Sequence, residues 1–276
     1  MGEWWIGLAG SLVIAGAAYW KSSLSRSGLV AAVVLGTAMY AAGSLPWYGT
    51  LIAFFVTSTL LSKWKSRSKA KAESGYAKSG RRDAGQVLAN GGLGLLLCLG
   101  HALWPNPGWW AAFIGVMATV TADTWATEIG GWSRSQPRSI VTGRKVAAGT
   151  SGGITKLGIA ASAAGGLVIG ATAWLLSLLQ QDALDSSLGI AAGPWPLLAL
   201  GIIGGLAGSL IDSWLGAVVQ VMYRCRICGA EVEKTSHCET STDRIRGLGW
   251  MTNDAVNALS SAAGGLVSLL LTLVIP

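Results

Sequence analysis

Four aspartates stand where a carboxylate is costly. Asp123 and Asp212 come late in long apolar runs, while Asp83 and Asp254 each open one. A charged side chain at membrane depth marks a functional site unless a partner neutralises it. The local contexts also repeat. "DTW" at 123–125 is echoed by "DSW" at 212–214, and "DAGQVL" at 83–88 by "DAVNAL" at 254–259. Asn90 lies seven residues after Asp83, on the same helix face, and Ser261 takes that place after Asp254. A helix cap or a neighbouring Arg accounts for one such aspartate, but poorly for four in matched settings.

Carboxylates gathered with Asn, Gln, Ser and Thr oxygens make a hard-oxygen site. Mg²⁺ is its natural guest, because that ion keeps several waters and bridges a few carboxylates to phosphates. Asp123, Glu128, Asp212 and Asp254 are the candidate metal ligands, with Asp83, Asn90, Asn253 and Asn257 as further polar groups. Glu128 is five residues from Asp123, and that spacing does not share a face on a regular helix. It is either a second ligand or a group that serves the following loop.

That loop reads "GGWSRSQPRSIVTGRKVAAGTSGGIT" at 130–155. It lacks the G-x-x-x-x-G-K-[ST] order of a Walker A loop. Its parts nevertheless suit phosphate: Gly143, Gly152 and Gly153 let backbone N–H groups approach oxygens, Arg144 and Lys145 supply charge, and Thr150 and Ser151 supply hydroxyls. Further on, "CRICGAEVEKTSHC" places Cys225, Cys228, His237 and Cys238 within one short segment. Four soft ligands so spaced fit a small closed zinc site, with a redox pair as the alternative. Cys98 lies inside an apolar run and reads as packing.

The elements that must position these groups are membrane helices. Of 276 residues, 51% are hydrophobic and only 12% charged, whereas about 25% is usual in soluble domains. The mean hydropathy is +0.51. The 39 glycines are scattered through apolar stretches, which suits close helix packing in lipid. Eight spans are predicted, at 4–20, 28–43, 47–62, 84–104, 108–130, 154–179, 194–222 and 251–275. The second and third, joined by "GSLPW", could tilt or form a re-entrant pair.

All 20 Lys and Arg residues fall within 21–27, 63–82, 131–156 and 223–249. With eight spans, these four segments share one side, which the positive-inside rule makes cytoplasmic. Both termini then face out, and the candidate carboxylates come to a similar depth beneath the cytoplasmic surface. The net charge of +7 therefore speaks for orientation and anionic lipid headgroups, and against nucleic acid. The first apolar run follows Glu3 and has no basic leader, so it reads as a retained span. The expected fold is an all-α polytopic membrane protein with a weak internal repeat.

"ADTWATEIG", "TGRKVAAGTSGGIT", "GSLIDSWLGA", the Cys/His segment and "TNDAVNAL" together resemble the phytyl-phosphate kinase family of integral membrane proteins. The resemblance runs from about residue 80 to 270. It implies transfer of a nucleotide γ-phosphoryl group, often from CTP, to an isoprenyl monophosphate such as a phytyl or geranylgeranyl phosphate. On this resemblance Asp123, Glu128, Asp212 and Asp254 would hold Mg²⁺ or substrate phosphate. Gly143, Arg144, Lys145, Thr150, Ser151, Gly152 and Gly153 would meet the phosphates of CTP or another nucleotide. The implied organisation is N-terminal spans at 1–62, a basic loop at 63–82 and a catalytic membrane domain at 83–276. That domain contains a nucleotide loop at 131–153 and the Cys/His loop at 223–249. The implied setting is a prokaryotic plasma (inner) membrane, with the site facing the cytoplasm. The competing readings are a prenyl-alcohol kinase or lipid nucleotidyltransferase using the same site, and a cation-coupled transporter.

Overall fold

The computed structural model describes residues 3–64, 80–179 and 193–274. Most of the basic loop 63–82 lies outside the described residues, as do Asp182 and Asp185. Seven helices are found among those described: α1 (Trp4–Trp20), α2 (Arg26–Lys63), α3 (Ala84–Leu103), α4 (Pro107–Gly130), α5 (Lys156–Leu179), α6 (Trp195–Val218) and α7 (Asn253–Leu271). Helices α2, α3, α5, α6 and α7 are long and apolar enough to cross a membrane, and α1 is a shorter apolar helix. The chain is thus a mostly helical, polytopic membrane protein.

Local chemistry sets the helix starts. Ser25 accepts a hydrogen bond from the Gly28 N–H at 3.1 Å, and Asn106 accepts one from Gly108, with Pro107 in the first helical position. Asp83 and Gln86 form a reciprocal capping box at the start of α3, with bonds of 2.9 and 3.2 Å. Asp83 is therefore engaged as a cap.

Helix α2 is folded on itself. Drawn straight, a helix of 38 residues would be about 57 Å long. Instead Ser44 takes φ 64° and ψ −162° just before Pro46, and both ends return to one place. Lys63 donates to the Lys21 carbonyl, while Arg82 donates to Thr59 at 3.1 Å and accepts from the Ser25 N–H through its own carbonyl. The two expected spans at 28–43 and 47–62 are the two limbs of this hairpin.

Helix α4 is the axis of the bundle, flanked by α2, α3, α5, α6 and α7. Its apolar face is sealed by Trp110, Phe113 and Met117, with Trp47 of α2 packed at a tilt against the stacked rings of Trp110 and Phe113. At the meeting of α4, α6 and α7 the backbones nearly touch. Thr119 donates to the carbonyls of Gly115 (2.8 Å) and Gly204 (3.2 Å), and a Cβ on Gly264 would run into Thr119 and the Gly204 carbonyl. Small residues at such crossings let dispersion and interhelical hydrogen bonds replace the hydrophobic force that lipid does not supply.

An all-α description needs one correction. Residues 222–246 form a four-stranded antiparallel sheet of β3 (Met222–Cys225), β4 (Glu231–Val232), β5 (Ser236–His237) and β6 (Thr240–Arg246), in the order β4-β3-β6-β5. A second, minimal pair joins β1 (Arg138–Ser139) to β2 (Gly153–Ile154). Strands of two to four residues are too short to show a period of two in the sequence, and only Thr-rich β6 carries a strand-like composition. The sheet also explains why α6 ends at Val218 rather than running to 222: the chain turns into β3.

Candidate active site

Of the sequence-predicted residues, Asn90, Asp123, Asp212 and Asn257 are contributed by α3, α4, α6 and α7 where these helices pack together. The side-chain carboxyls of Asp123 of α4 and Asp212 of α6 are brought close enough to act on each other electrostatically. Asp212 also accepts from the Ser260 hydroxyl of α7 at 2.8 Å, and Ser260 is 1% exposed. One turn earlier on α7, the Asn257 side-chain amide donates to the side-chain Oδ1 of Asn90 on α3 at 3.4 Å. Asp254 stands three residues before Asn257, on the same face. Asn253 is exposed at the start of α7.

Glu128, five residues after Asp123 on α4, is within electrostatic range of Arg82. Its charge acts on Arg82, which burial pulls below the ordinary guanidinium range while Glu128 opposes that shift. Glu128 thus acts on the basic residue that precedes α3. Arg82, Gln86 and Asn90 stand four residues apart and edge an apolar cavity between α1, α2 and α3, lined by Leu35, Phe54 and Val87 among others. The polar stripe leads from this cavity to Asn257.

The glycine-rich loop folds back through β1 and β2. Gly143 turns it, with φ +67°, and its carbonyl accepts from Arg138 at 2.8 Å. Arg144 and Lys145 are exposed beside this turn. The "TSGG" end is fixed more tightly. Gly152, with φ +82°, lies against Ala217 and the Ser213 carbonyl of α6, so a side chain there meets backbone. Thr150 accepts the Gly153 N–H through its carbonyl. Ser151 donates to the Gln220 side chain at 3.1 Å, and Gln220 donates to Glu233 at 2.8 Å. Glu233, from the segment between β4 and β5, is within electrostatic range of Asp212.

The four soft ligands also converge. One ligand atom from each of Cys225, Cys228, His237 and Cys238 falls within 4.8 Å of every other. His237 Nδ1 is 3.5 Å from the Cys228 sulfur and 3.3 Å from that of Cys238. The Cys228 backbone N–H and His237 draw the Cys225 thiol down to about 6, whereas the Cys228 thiol and burial push Cys238 up to about 11. Cys98 is buried against the Met39 carbonyl, away from this group.

Sequence reasoning missed Arg82, Gln86, Gln220, Glu233 and Ser260. Arg82 was counted with the orienting charges, and Ser260 sits in a run of small residues that reads as helix packing. For Gln220 and Glu233 the sequence carries no local signal, because their partners are brought in by the sheet.

The family model described as "Integral membrane protein DUF92" matches residues 9–265, from α1 into α7. "Protein PGR" of Arabidopsis thaliana is 31% identical over 267 residues, covering 91% of this chain and 89% of that protein. An uncharacterized membrane protein of Methanocaldococcus jannaschii is 26% identical over 251 residues, covering 90% of this chain and 85% of its own length. Another, from Synechocystis, is 26% identical over 221 residues, covering 73% and 83%. No solved structure matches the chain.

Proposed function

The chain belongs to the DUF92 family of integral membrane proteins, and from that premise we propose that it is a Mg²⁺-dependent kinase of isoprenyl monophosphates. It passes the γ-phosphoryl group of CTP or another nucleoside triphosphate to a phytyl- or geranylgeranyl-type monophosphate. The reaction takes place at the cytoplasmic face of a prokaryotic inner membrane. The two limbs of α2 each cross the bilayer, which with α1 and α3–α7 makes eight passes and puts both termini outside.

The observation that carries this reading is the meeting of Asp123 and Asp212 from separate helices, with Ser260 braced against Asp212. Two carboxyls brought together, with amide and hydroxyl oxygens nearby, fit a hard divalent cation. Asp123 and Asp212 would hold the Mg²⁺ ion, which would supply charge neutralisation for the nucleotide phosphates. Asp254 and Asn257 extend the same oxygen surface along α7.

The acceptor is a phosphate monoester, so its oxygen needs no strong base. That oxygen attacks the γ-phosphorus, the new P–O bond forms, and the bond to the β–γ bridging oxygen breaks. Arg82 and Asn90 orient the acceptor phosphate at the mouth of the apolar cavity, whose wall of Leu35, Phe54 and Val87 takes the isoprenyl chain. Ser151, Gly152 and Gly153 present hydroxyl and backbone groups to the nucleotide, and Arg144 and Lys145 close on its charge from the exposed turn. Glu128 holds Arg82 in place.

The test uses purified protein in lipid nanodiscs with radiolabelled CTP or ATP, Mg²⁺, and phytyl or geranylgeranyl monophosphate. A labelled diphosphate is expected, and Asp212→Asn should abolish it while the protein still inserts. Absence of product with all common nucleoside triphosphates would sink the kinase reading.

A further inference from the structure

The sheet at 222–246 is poor in the usual means of staying folded. Its buried apolar side chains are Met222 and Val232, with Val221 and Met251 at its base. A unit of this size without a larger core needs a covalent or metal staple. The ligand geometry supplies one. In a tetrahedral zinc site, sulfur and nitrogen ligands stand about 3.6 Å apart and two sulfurs about 3.8 Å. The His237 Nδ1 distance of 3.5 Å to Cys228 is close to the first value, and that of 3.3 Å to Cys238 is slightly shorter.

The backbone is bent to reach this arrangement. Cys225 accepts the Gly229 N–H and donates to the Ala230 carbonyl, with Gly229 at φ +69°, which curls Cys228 back over Cys225. On the other side Cys238 and Glu239 take φ values of 50° and 58°. Non-glycine residues in that region are uncommon and are held there by surrounding structure. The turn aims Cys238 at His237.

The sheet is rooted at the candidate site. Arg246 donates to the Gly216 carbonyl at 2.9 Å and to that of Ala217, capping the end of α6. Val221 and Leu248 donate to the carbonyls of Met251 and Val219, closing the base. From this base Gln220, 2% exposed, bridges Glu233 of the sheet to Ser151 of the glycine-rich loop.

We propose that Cys225, Cys228, His237 and Cys238 bind one Zn²⁺ ion, and that this ion, by keeping the sheet folded, holds Glu233 and Gln220 in place to fix Ser151 and the loop around it. The zinc is structural, closed by four protein ligands, and acts on the site only through the Glu233–Gln220–Ser151 chain. The inference stands without the kinase reading, since neither the ligands nor the bridge depends on which substrate the loop meets.

The experiment uses the full-length protein in nanodiscs, purified with a thiol reductant and no chelator. Elemental analysis should find about one zinc per chain, and Cys228→Ser should lose it. Chelator-stripped wild-type protein, which avoids any failure of the variant to fold, should take up Co²⁺ with thiolate-to-cobalt absorption. Hydrogen exchange of the amides at 147–153 should quicken on stripping and slow again when Zn²⁺ is restored. Gln220→Leu should quicken the same amides while zinc stays at about one per chain. Zinc far below one per chain, with no cobalt–thiolate spectrum from reduced protein, would overturn the metal site. Zinc at full occupancy with exchange at 147–153 indifferent to stripping and to Gln220→Leu would overturn the coupling.

Discussion

Replacing Ser260 by alanine removes one oxygen and tests the carboxylate pair from behind. The Ser260 hydroxyl donates to Asp212 at 2.8 Å and also lies 3.1 Å from the Asn257 carbonyl, in a setting only 1% exposed. A hydrogen bond to a charged group contributes about 1.5–3 kcal/mol, and each factor of ten in an equilibrium corresponds to about 1.4 kcal/mol. The hydroxyl is shared with the Asn257 carbonyl, so the lower half of that range applies, which corresponds to about a tenfold to fortyfold loss. Residues that orient a metal ligand from behind lose about 10–100-fold in metal affinity when truncated, which brackets the same figure. The assay is Mn²⁺ binding followed by electron paramagnetic resonance on purified protein, paired with the Mg²⁺ dependence of turnover. Ser261→Ala is the control, since Ser261 is also buried but donates to the Ala258 carbonyl on its own helix. The half-saturating Mn²⁺ concentration should rise for Ser260→Ala and stay put for Ser261→Ala. Equal affinities for Ser260→Ala and the native protein, or equal losses in both variants, would refute the claim that Asp212 is a metal ligand braced by Ser260.

Arg82→Met should raise the KM for the lipid monophosphate about tenfold or more, as expected for losing a charge-assisted contact, and leave the KM for nucleotide near its native value. An equal rise in both would detach Arg82 from the acceptor. Gly152→Ala forces a side chain against Ala217 and the Ser213 carbonyl at φ +82°, a conformation that costs about 1–2 kcal/mol for an L-residue. Limited trypsin digestion should therefore cut faster at Arg144 and Lys145, and an unchanged rate would mean the loop does not depend on that docking. Gly264→Ala drives a Cβ into Thr119 and the Gly204 carbonyl, and overpacking of this kind costs about 1–3 kcal/mol. The thermal midpoint in detergent should drop, and Thr119→Ala in the same chain should recover part of the loss. Strict additivity of the two substitutions would speak against contact at that crossing.

What the sequence made legible follows from how far each signal travels along the chain. Apolar runs with basic residues at their ends mark the helices because hydropathy is local, and the bounds of α1 match the expected span. The matched "DTW" and "DSW" segments suggest equivalent depths for Asp123 and Asp212, and in the structure their carboxyls are close enough to act on each other. The other echo was less exact. It aligned Gln86 with Asn257, yet Gln86 is engaged in the capping box and the partner of Asn257 is Asn90, one turn further on. A repeat in sequence preserves backbone position, while side-chain pairing depends on how two helices are rotated against each other. The sheet was invisible for a different reason: most of its strands are two to four residues long, too short to show a hydrophobic period. Gln220 and Glu233 depend on that sheet, so they could not be found before it.

The turn at Ser44 also bears on how the chain enters a membrane. From Ser27 to Ser62 there is no charged residue, and Arg26 and Lys63 stand at the two ends that the fold brings together. A segment of this kind can enter the bilayer as a preformed pair of limbs, with its hydrophobic tip leading and both basic ends retained on the side of origin. No polar loop has to be carried across for α2 to be placed. On the proposed eight-pass arrangement its orientation would be decided twice, once by each end, so that neutralising Arg26 or Lys63 singly should leave the other charge to hold the pair in place.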